Sequence, residues 1–168
     1  MPRRGDSSTL RPATLEDLDV LVELRVALFE AMGQRGPLLD AAVPAIRAYI
    51  EDHLPSGAFR VWVAERGGTV VAAIGLVIHS VPPSPHNPDG REAYIMNLFT
   101  RPEVRRRGIA RRLMRHVLDV VQSEGTYKVR LYATPDGRPL YESLGFAVAT
   151  GEPEMQFTLP NEDRFTTE

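Results

Sequence analysis

Residues 94–110 read YIMNLFTRPEVRRRGIA, and this stretch decides how the fold is interpreted. Its first half is apolar and rich in β-forming residues, which predicts a strand over 92–100. Its second half places three arginines directly before Gly108, at the start of an amphipathic helix predicted over 105–124. A strand is therefore followed, after a short turn, by a helix with a basic, glycine-containing N-terminus.

A turn of this kind can bind an anionic diphosphate. A helix N-terminus offers unpaired backbone N–H groups and a partial positive charge, and Gly108 lets a ligand come close to the backbone. Guanidinium groups of Arg106, Arg107 or Arg111 would add charge-assisted contacts to phosphate oxygens. The alternative is that these arginines only solvate a helix start. A nucleic-acid patch is disfavoured because no aromatic residue is interleaved over 105–115.

Composition places the chain among ordinary globular proteins. Its 168 residues are 43% hydrophobic and 25% charged, which predicts a single domain over 1–168 with an ordered core over about 9–159. The formal net charge of −2 gives no overall attraction to nucleic acid or to an anionic membrane. Cysteine is absent, which excludes disulfides and a cysteine nucleophile. No apolar run is typical of a signal peptide or membrane span, so we expect a cytoplasmic location.

The periodicity of apolar residues predicts a mixed α/β fold with helices on both faces of a sheet. The order is strand, helix, helix, three strands, helix, strand, helix, strands. The predicted helices cover 14–32, which opens with a capping box of Thr14 and Asp17, then 40–53, 105–124 and 138–144. The predicted strands after the second helix cover 59–65, 70–79, 92–100, 129–133, 146–149 and 155–159, with a proline-rich loop over 81–90.

The basic turn resembles the CoA signature of the GNAT superfamily of N-acetyltransferases. That signature is Gln or Arg, two residues, Gly, one residue, then Gly or Ala, and Arg105, Gly108 and Ala110 match it. The strand before the turn and the later stretch LYESLGF, residues 140–146, strengthen the resemblance, which is sharp only over 94–146. It implies a mainly antiparallel sheet of six to seven strands, splayed in the middle.

The resemblance also implies a function: transfer of the acetyl group of acetyl-CoA to an amine of a small molecule or peptide. It implies neither a metal, nor nucleic acid, nor a membrane as partner, and it allows a homodimer. The pantetheine arm would lie in the splayed gap of the sheet. The CoA-binding residues that it implies are Leu98, Phe99, Thr100, Arg105, Arg106, Arg107, Gly108, Ile109, Ala110, Arg111 and Thr134. Thr134 stands where many relatives carry an Asn, so its hydroxyl would reach less far.

The catalytic groups are implied in the same way. The backbone N–H of Leu98 would polarise the thioester carbonyl, and Tyr141 would give its proton to the leaving thiolate. The alternative for Tyr141 is a tyrosine at the edge of the core whose hydroxyl meets water. Because no cysteine can carry an acyl group, we expect direct transfer in a ternary complex.

The general base is the least determined group. Glu92 at the start of the central strand is the first candidate, and the alternative is an ordinary solvated glutamate. The histidines at 53, 79, 86 and 116 show no partner in the sequence. The second helix and the loop 81–90 should border the acceptor pocket, and their residues Glu51, Asp52, His86 and Asp89 indicate a cationic amine. Two rival functions stay open: a non-catalytic acyl-CoA sensor or interaction module, and nucleotide binding by the same turn.

Overall fold

The computed structural model describes residues 7–151 and 155–158. One sheet contains five strands in the order of the chain, and only the last is parallel to its neighbour. The strands are β1 (Thr9–Pro12), β2 (Arg60–Arg66), β3 (Thr69–Ser80), β4 (Arg91–Thr100) and β5 (Lys128–Arg130). The helices are α1 (Leu18–Ala31), α2 (Pro37–His53), α3 (Ile109–Ser123) and α4 (Arg138–Ser143). The predicted fold class, a mixed and mainly antiparallel α/β sheet, is confirmed.

Helices cover both faces of the sheet, as the alternation of its side chains requires. On one face, α3 packs its buried stripe against strand residues such as Trp62 and Leu76. On the other face, α1 and α2 cover strand residues such as Val63 and Phe99. The stripe on α3 consists of Ile109, Leu113, Met114, Val117 and Val121, each about 1% exposed or less.

A β-bulge in β4 sets the geometry of the centre of the sheet. Phe99 is opposite Ala73 and Met96 is opposite Gly75, so two residues of β4 face one residue of β3. Asn97 lies in this bulge with a φ of 57°, a left-handed conformation that asparagine tolerates better than most residues. The bulge therefore changes the direction of β4 halfway along its length.

β4 and β5 separate after Tyr94, before the bulge in β4. They pair only where Glu92, Ala93 and Tyr94 meet Lys128, Val129 and Arg130. The rest of β4, up to Thr100, has no strand on that edge among the described residues. The sheet is thus splayed in its middle, as expected.

Two predicted strands at the end of the chain are wrong for the residues that the structure describes. Residues 146–149 and 155–158 are not in strands, and Leu159 lies outside the described residues. Val148, Met155 and Phe157 are 67%, 91% and 87% exposed, so the apolar alternation that predicted strands has no surface to pack against. The neighbouring strand β5 is also shorter than predicted, which leaves little backbone edge to extend the sheet.

The starts of three helices also differ from the prediction: α1 begins at Leu18 and not at Thr14. α2 begins at Pro37 and not at Asp40, because Pro37 occupies the first helical position, where its missing N–H costs nothing. α3 begins at Ile109 and not at Arg105, because the left-handed Gly108 is its N-cap. The capping box of Thr14 and Asp17 is confirmed, although it caps a short 3-10 turn that leads into α1.

Candidate active site

The turn before α3 presents unpaired backbone donors. Gly108 has a φ of 83° and precedes helical residues, an arrangement in which successive N–H groups converge on one point. The amide of Arg112 donates to the carbonyl oxygen of Gly108 at 3.0 Å, the first bond of the helical ladder. The N–H groups of Ile109, Ala110 and Arg111 come before it and have no intrahelical acceptor. The helix dipole adds a partial positive charge there.

Open space lies over this turn. A Cβ added to Gly108 would meet no atom within 4 Å, so a ligand can approach the backbone at this point. Arg106 has a φ of 61°, a second left-handed residue in the same short connection. The loop thus exposes its backbone where an anion would gain most from the free donors.

The four arginines predicted to bind phosphate occupy different environments. Arg105 donates from Nε to the carbonyl oxygen of Thr100 at 2.9 Å and lies 5.3 Å from the ring centre of Phe99, so it ties the turn to the end of β4. Arg111 donates to Ser143 Oγ at 2.8 Å and ties α3 to α4. Arg106 and Arg107 are exposed, and their side chains make no hydrogen bond or ion pair within the described part of the chain.

The end of β4 turns Thr100 toward the gap. The amide of Arg101 donates to the carbonyl oxygen of Val71 in β3 at 2.9 Å, so the backbone groups of Thr100 point to the opposite edge. The carbonyl oxygen of Thr100 accepts from Arg105, whereas its side-chain oxygen is buried and, among the described residues, has no hydrogen-bond partner. Leu98 lies in the bulge, and the role of its N–H toward a thioester stays a prediction.

Tyr141 lies on α4, which the bond between Arg111 and Ser143 holds against α3. It packs partly buried against the core on that face and meets the ring of Phe146 edge-on at 6.1 Å. Burial raises the pKa of the Tyr141 phenol, because the charged phenolate would lose its hydration. The hydroxyl is therefore protonated at neutral pH and can act only as a proton donor there.

Thr134 caps the turn that leads into α4. Its hydroxyl accepts a hydrogen bond from the amide of Gly137 at 3.2 Å, and its carbonyl accepts from Arg138 at 3.0 Å. The side chain thus has a structural partner in the turn that orients the helix of Tyr141. Its contact with CoA stays a prediction.

Glu92 is buried at the start of β4 and surrounded by basic groups. Its carboxylate lies 2.7 Å from Lys128 Nζ, 3.4 Å from Arg130 Nη1 and 3.8 Å from His79 Nε2. The hydrogen bond from Lys128 holds the pKa of Glu92 below its usual range. Glu92 also precedes Leu98 by six residues, roughly 20 Å along an extended strand.

Three residues that sequence reasoning missed meet on the other side of β4. Arg25 from α1, Tyr49 from α2 and Asn97 from the bulge line a cleft of about 290 Å³. Arg25 donates a hydrogen bond to Asn97 Oδ1. The remaining lining is apolar and consists of Ala42, Ala45, Ile46, Ile50, Phe59 and Met96. These residues come from three separate segments, so no local sequence signal could have grouped them.

Comparison with known proteins establishes the family. The model of the acetyltransferase (GNAT) family matches residues 21–146, and the chain belongs to this family. Curated proteins gave no match. A GCN5-related N-acetyltransferase from Ralstonia eutropha JMP134 is similar at 31% identity, with 89% of this chain and 99% of that chain covered and a TM-score of 0.82.

Two further solved structures are similar to the chain. A predicted acetyltransferase from Clostridium acetobutylicum, solved with acetyl-CoA, has 26% identity over 89% of this chain and 96% of that one, with a TM-score of 0.80. A ribosomal-protein-alanine N-acetyltransferase from Brucella melitensis biovar Abortus 2308 has 20% identity over 90% and 100% of the two chains, with a TM-score of 0.67, and supports the fold alone. The family acts by transfer of an acyl group from acyl-CoA.

No group of three or more metal-ligating side chains occurs among residues 7–151 and 155–158. Within the same ranges, none of the helices has the length and apolar character needed to cross a membrane.

Proposed function

We propose that this chain is an acetyl-CoA-dependent N-acetyltransferase that passes the acetyl group directly to an amine within a ternary complex. The observation that carries the proposal is the set of unpaired N–H groups at the start of α3, beside open space over Gly108. This set lies at the end of the strand whose free edge faces the splayed gap. Membership of the GNAT family supplies the acyl-CoA chemistry.

The polar groups at the start of α3 and along β4 match successive parts of acetyl-CoA. The donors at the start of α3 suit the diphosphate, with Arg106 and Arg107 free to add charge. The edge of β4 after Tyr94 has no neighbouring strand among the described residues and suits the amides of pantetheine, which would pair with it as an added strand near Leu98 and Thr100. The buried Thr100 hydroxyl is an unused hydrogen-bonding group beside that edge.

In this mechanism the amine nitrogen attacks the thioester carbonyl carbon. The N–H of Leu98 would stabilise the developing oxyanion, a contribution of about 3 to 4 kcal/mol for one such donor. The tetrahedral intermediate then collapses, the C–S bond breaks, and Tyr141 gives its proton to the sulfur. Burial favours this role for Tyr141 because it keeps the phenol protonated.

The proton of the attacking amine needs a separate acceptor. Glu92 was the first candidate, but three basic groups contact its carboxylate and its distance along the strand rules out direct contact with an amine beside Leu98. A role through a chain of water molecules stays a prediction. We propose that the first task of Glu92 is structural, because its ion pairs join β4 to β5 directly before the two strands part.

Calorimetry with acetyl-CoA, followed by a panel of amines monitored for release of free thiol, tests the proposal. We expect micromolar or tighter binding of acetyl-CoA at low salt and thiol release that depends on the amine. Binding with no turnover would favour the non-catalytic sensor, and no binding would remove the proposal. Competition with ATP separates CoA recognition from nucleotide binding. A cytoplasmic location and a homodimer stay predictions.

A further inference from the structure

The cleft on the α2 side of β4 contains one strongly polar group, the guanidinium of Arg25. This side chain comes from α1, is half-buried, and lies 4.9 Å over the ring centre of Phe29. Its single hydrogen bond goes to the neutral amide of Asn97. Within the part of the chain that the structure describes, no carboxylate lies within ion-pairing distance of Arg25.

Two other partly buried arginines of the protein are neutralised by carboxylates. Arg11 contacts Asp17 at 2.8 Å, and Arg101 contacts Glu23 at 2.7 Å. Arg25 differs from both, since burial lowers its pKa and the groups that oppose this effect are the phenols of Tyr49 and Tyr94 and not carboxylates. An uncompensated charge in a largely apolar cleft is costly, and such costs are typical of binding sites.

The position of Arg25 relates this charge to the chemistry. Its partner Asn97 is the residue directly before Leu98, the residue whose N–H is proposed to stabilise the oxyanion. A group bound by Arg25 would therefore lie near an amine that attacks a carbonyl beside Leu98. The bulge makes this possible because it places the Asn97 side chain in the cleft next to the backbone of Leu98.

The positive charge of the cleft also determines which class of acceptor it can bind. None of the lining residues is acidic, and Glu51, Asp52 and Asp89, which pointed to a cationic amine in the sequence, are exposed and absent from the lining. A guanidinium repels an isolated ammonium group and binds a carboxylate through two parallel hydrogen bonds. The volume of about 290 Å³ is near the lower end of the range for small-molecule pockets.

We propose that Arg25 binds the carboxylate of the acceptor, so that the substrate class is a small amino acid with an apolar body and not a simple cationic amine. The proposal rests on the proposed function and deepens it. The carboxylate would neutralise Arg25 and hold the amine toward the thioester. The apolar body would lie against the α2 residues and Phe59.

The test compares acceptors that differ only in the carboxylate. Alanine, leucine, methionine, β-alanine and 4-aminobutyrate are each assayed against their own primary amides, with thiol release as the readout. For the wild type we expect at least one amino acid with kcat/KM about tenfold or more above that of its amide, the effect of a lost charge-assisted pair. Calorimetry of the same pairs measures carboxylate recognition without turnover.

Variants at position 25 assign the effect to one side chain. Arg25→Met should lower kcat/KM for the preferred amino acid by about tenfold or more, mainly through KM, and change the amide by less than about threefold. Arg25→Lys should be intermediate because it keeps the charge but not the planar fork. Arg47→Met, which removes a half-exposed arginine of α2 outside the cleft, should change neither member of a pair.

The outcomes separate this inference from the proposed function. Acetyl-CoA binding should be equal in the wild type and Arg25→Met, because Arg25 lies on the acceptor side of β4. If acetyl-CoA binds but acids and amides behave alike in calorimetry and turnover, the carboxylate site is overturned and the N-acetyltransferase proposal stands. Equal losses for acid and amide in both position-25 variants would also overturn it, since Arg25 would then only support the structure. Failure to bind acetyl-CoA removes the proposed function itself.

Discussion

The two sides of β4 are built in different ways. On the donor side, which is the side proposed to bind acetyl-CoA, the groups expected to contact it are backbone amides at Leu98 and in the first turn of α3, and they lie within a single stretch of the chain. On the acceptor side, the polar groups are the side chains of Arg25, Tyr49 and Asn97, from three separate segments. A binding surface made of backbone groups suits one ligand that does not vary. A surface made of side chains can be adapted to another ligand by changing one residue at a time.

The largest effect is expected from removing the Leu98 amide. Leu98→Pro deletes the N–H proposed to stabilise the oxyanion, so we expect turnover to fall by about 10² to 10³-fold or more. Thiol release under saturating acetyl-CoA measures it. Leu98→Ala, which keeps the N–H, should retain most of the turnover.

Because position 98 lies in the bulge, the Leu98→Pro experiment needs a control for folding. Asn97 is left-handed, and a following proline disfavours α-type backbone conformations, so the fold of Leu98→Pro must be checked by thermal melting and by acetyl-CoA binding. A folded Leu98→Pro protein with near wild-type turnover would show that the donor side does not act through this amide.

The second largest effect is expected from Tyr141→Phe, which keeps the ring packed against Phe146 and removes the proton donor. We expect kcat to fall about 100-fold, with the KM for acetyl-CoA little changed. Tyr127→Phe, at a tyrosine that is 80% exposed, is the matched control and should change nothing. Equal activity of wild type and Tyr141→Phe would show that water, and not Tyr141, protonates the leaving thiolate.

The pH dependence of Tyr141 has a definite sign. Burial raises the pKa of its phenol above the ordinary value of 10, so loss of the acid should reduce kcat only above about pH 10. Because the unfolded state loses this proton first, Tyr141 also makes the folded state less stable as pH rises through that region. A loss of kcat near neutral pH that disappears in Tyr141→Phe would contradict the assignment.

The contrast between the two sides of β4 also explains how much of the site could be predicted from the sequence. The donor side was predictable because strand, glycine and helix follow one another within about fifteen residues, and local backbone conformation determines where the amides point. The left-handed Gly108 and the helix that begins after it agree with that prediction, although the helix starts later than expected. The binding roles of the individual residues stay predictions.

The acceptor side was not predictable because tertiary packing assembles it. Nothing around Arg25 in the sequence distinguishes it from an exposed helix arginine, and its neighbour Glu23 pairs elsewhere, with Arg101. The bulge at Asn97 has no sequence signature of its own in an apolar strand. The predicted strands over 146–149 and 155–159 were wrong, within the described residues, for a related reason. Alternating apolar residues such as Val148 and Phe157 predict a strand only where a partner surface exists.

A smaller effect should separate backbone approach from helix stability at Gly108. Gly108→Ala places a Cβ at a φ of 83°, which costs about 1 to 2 kcal/mol of stability, and fills the space where the diphosphate would lie. We expect acetyl-CoA affinity to weaken about tenfold by calorimetry. Gly125→Ala is an unusually close control, because Gly125 ends the same helical region with a φ of 71° and no atom within 4 Å. Both variants should lose similar stability, and a similar loss of affinity in both would remove Gly108 from the binding site.

The smallest effect on turnover is expected at Glu92, which lies at the start of β4, away from both sides of the site. Glu92→Gln weakens the contacts with Lys128 and Arg130, so we expect the free energy of unfolding to fall by about 1 to 3 kcal/mol at pH 7. Denaturant titration followed by the fluorescence of Trp62, the one tryptophan, measures it. Glu142→Gln, at an exposed ion pair, should cost less than about 0.5 kcal/mol.

Acid pH then tests whether Glu92 acts through its charge. Lys128 lowers the pKa of Glu92 in the folded state, so its stabilisation is fully present above the ordinary value of 4.5 and is lost as pH falls through the folded pKa. The stability difference between wild type and Glu92→Gln should therefore shrink as pH falls below about 4.5. If Glu92 is only a link between β4 and β5, kcat should change less than about threefold and its pH profile should keep its shape. An acidic limb of kcat that vanishes in Glu92→Gln would instead make Glu92 the base, acting through water over the length of the strand.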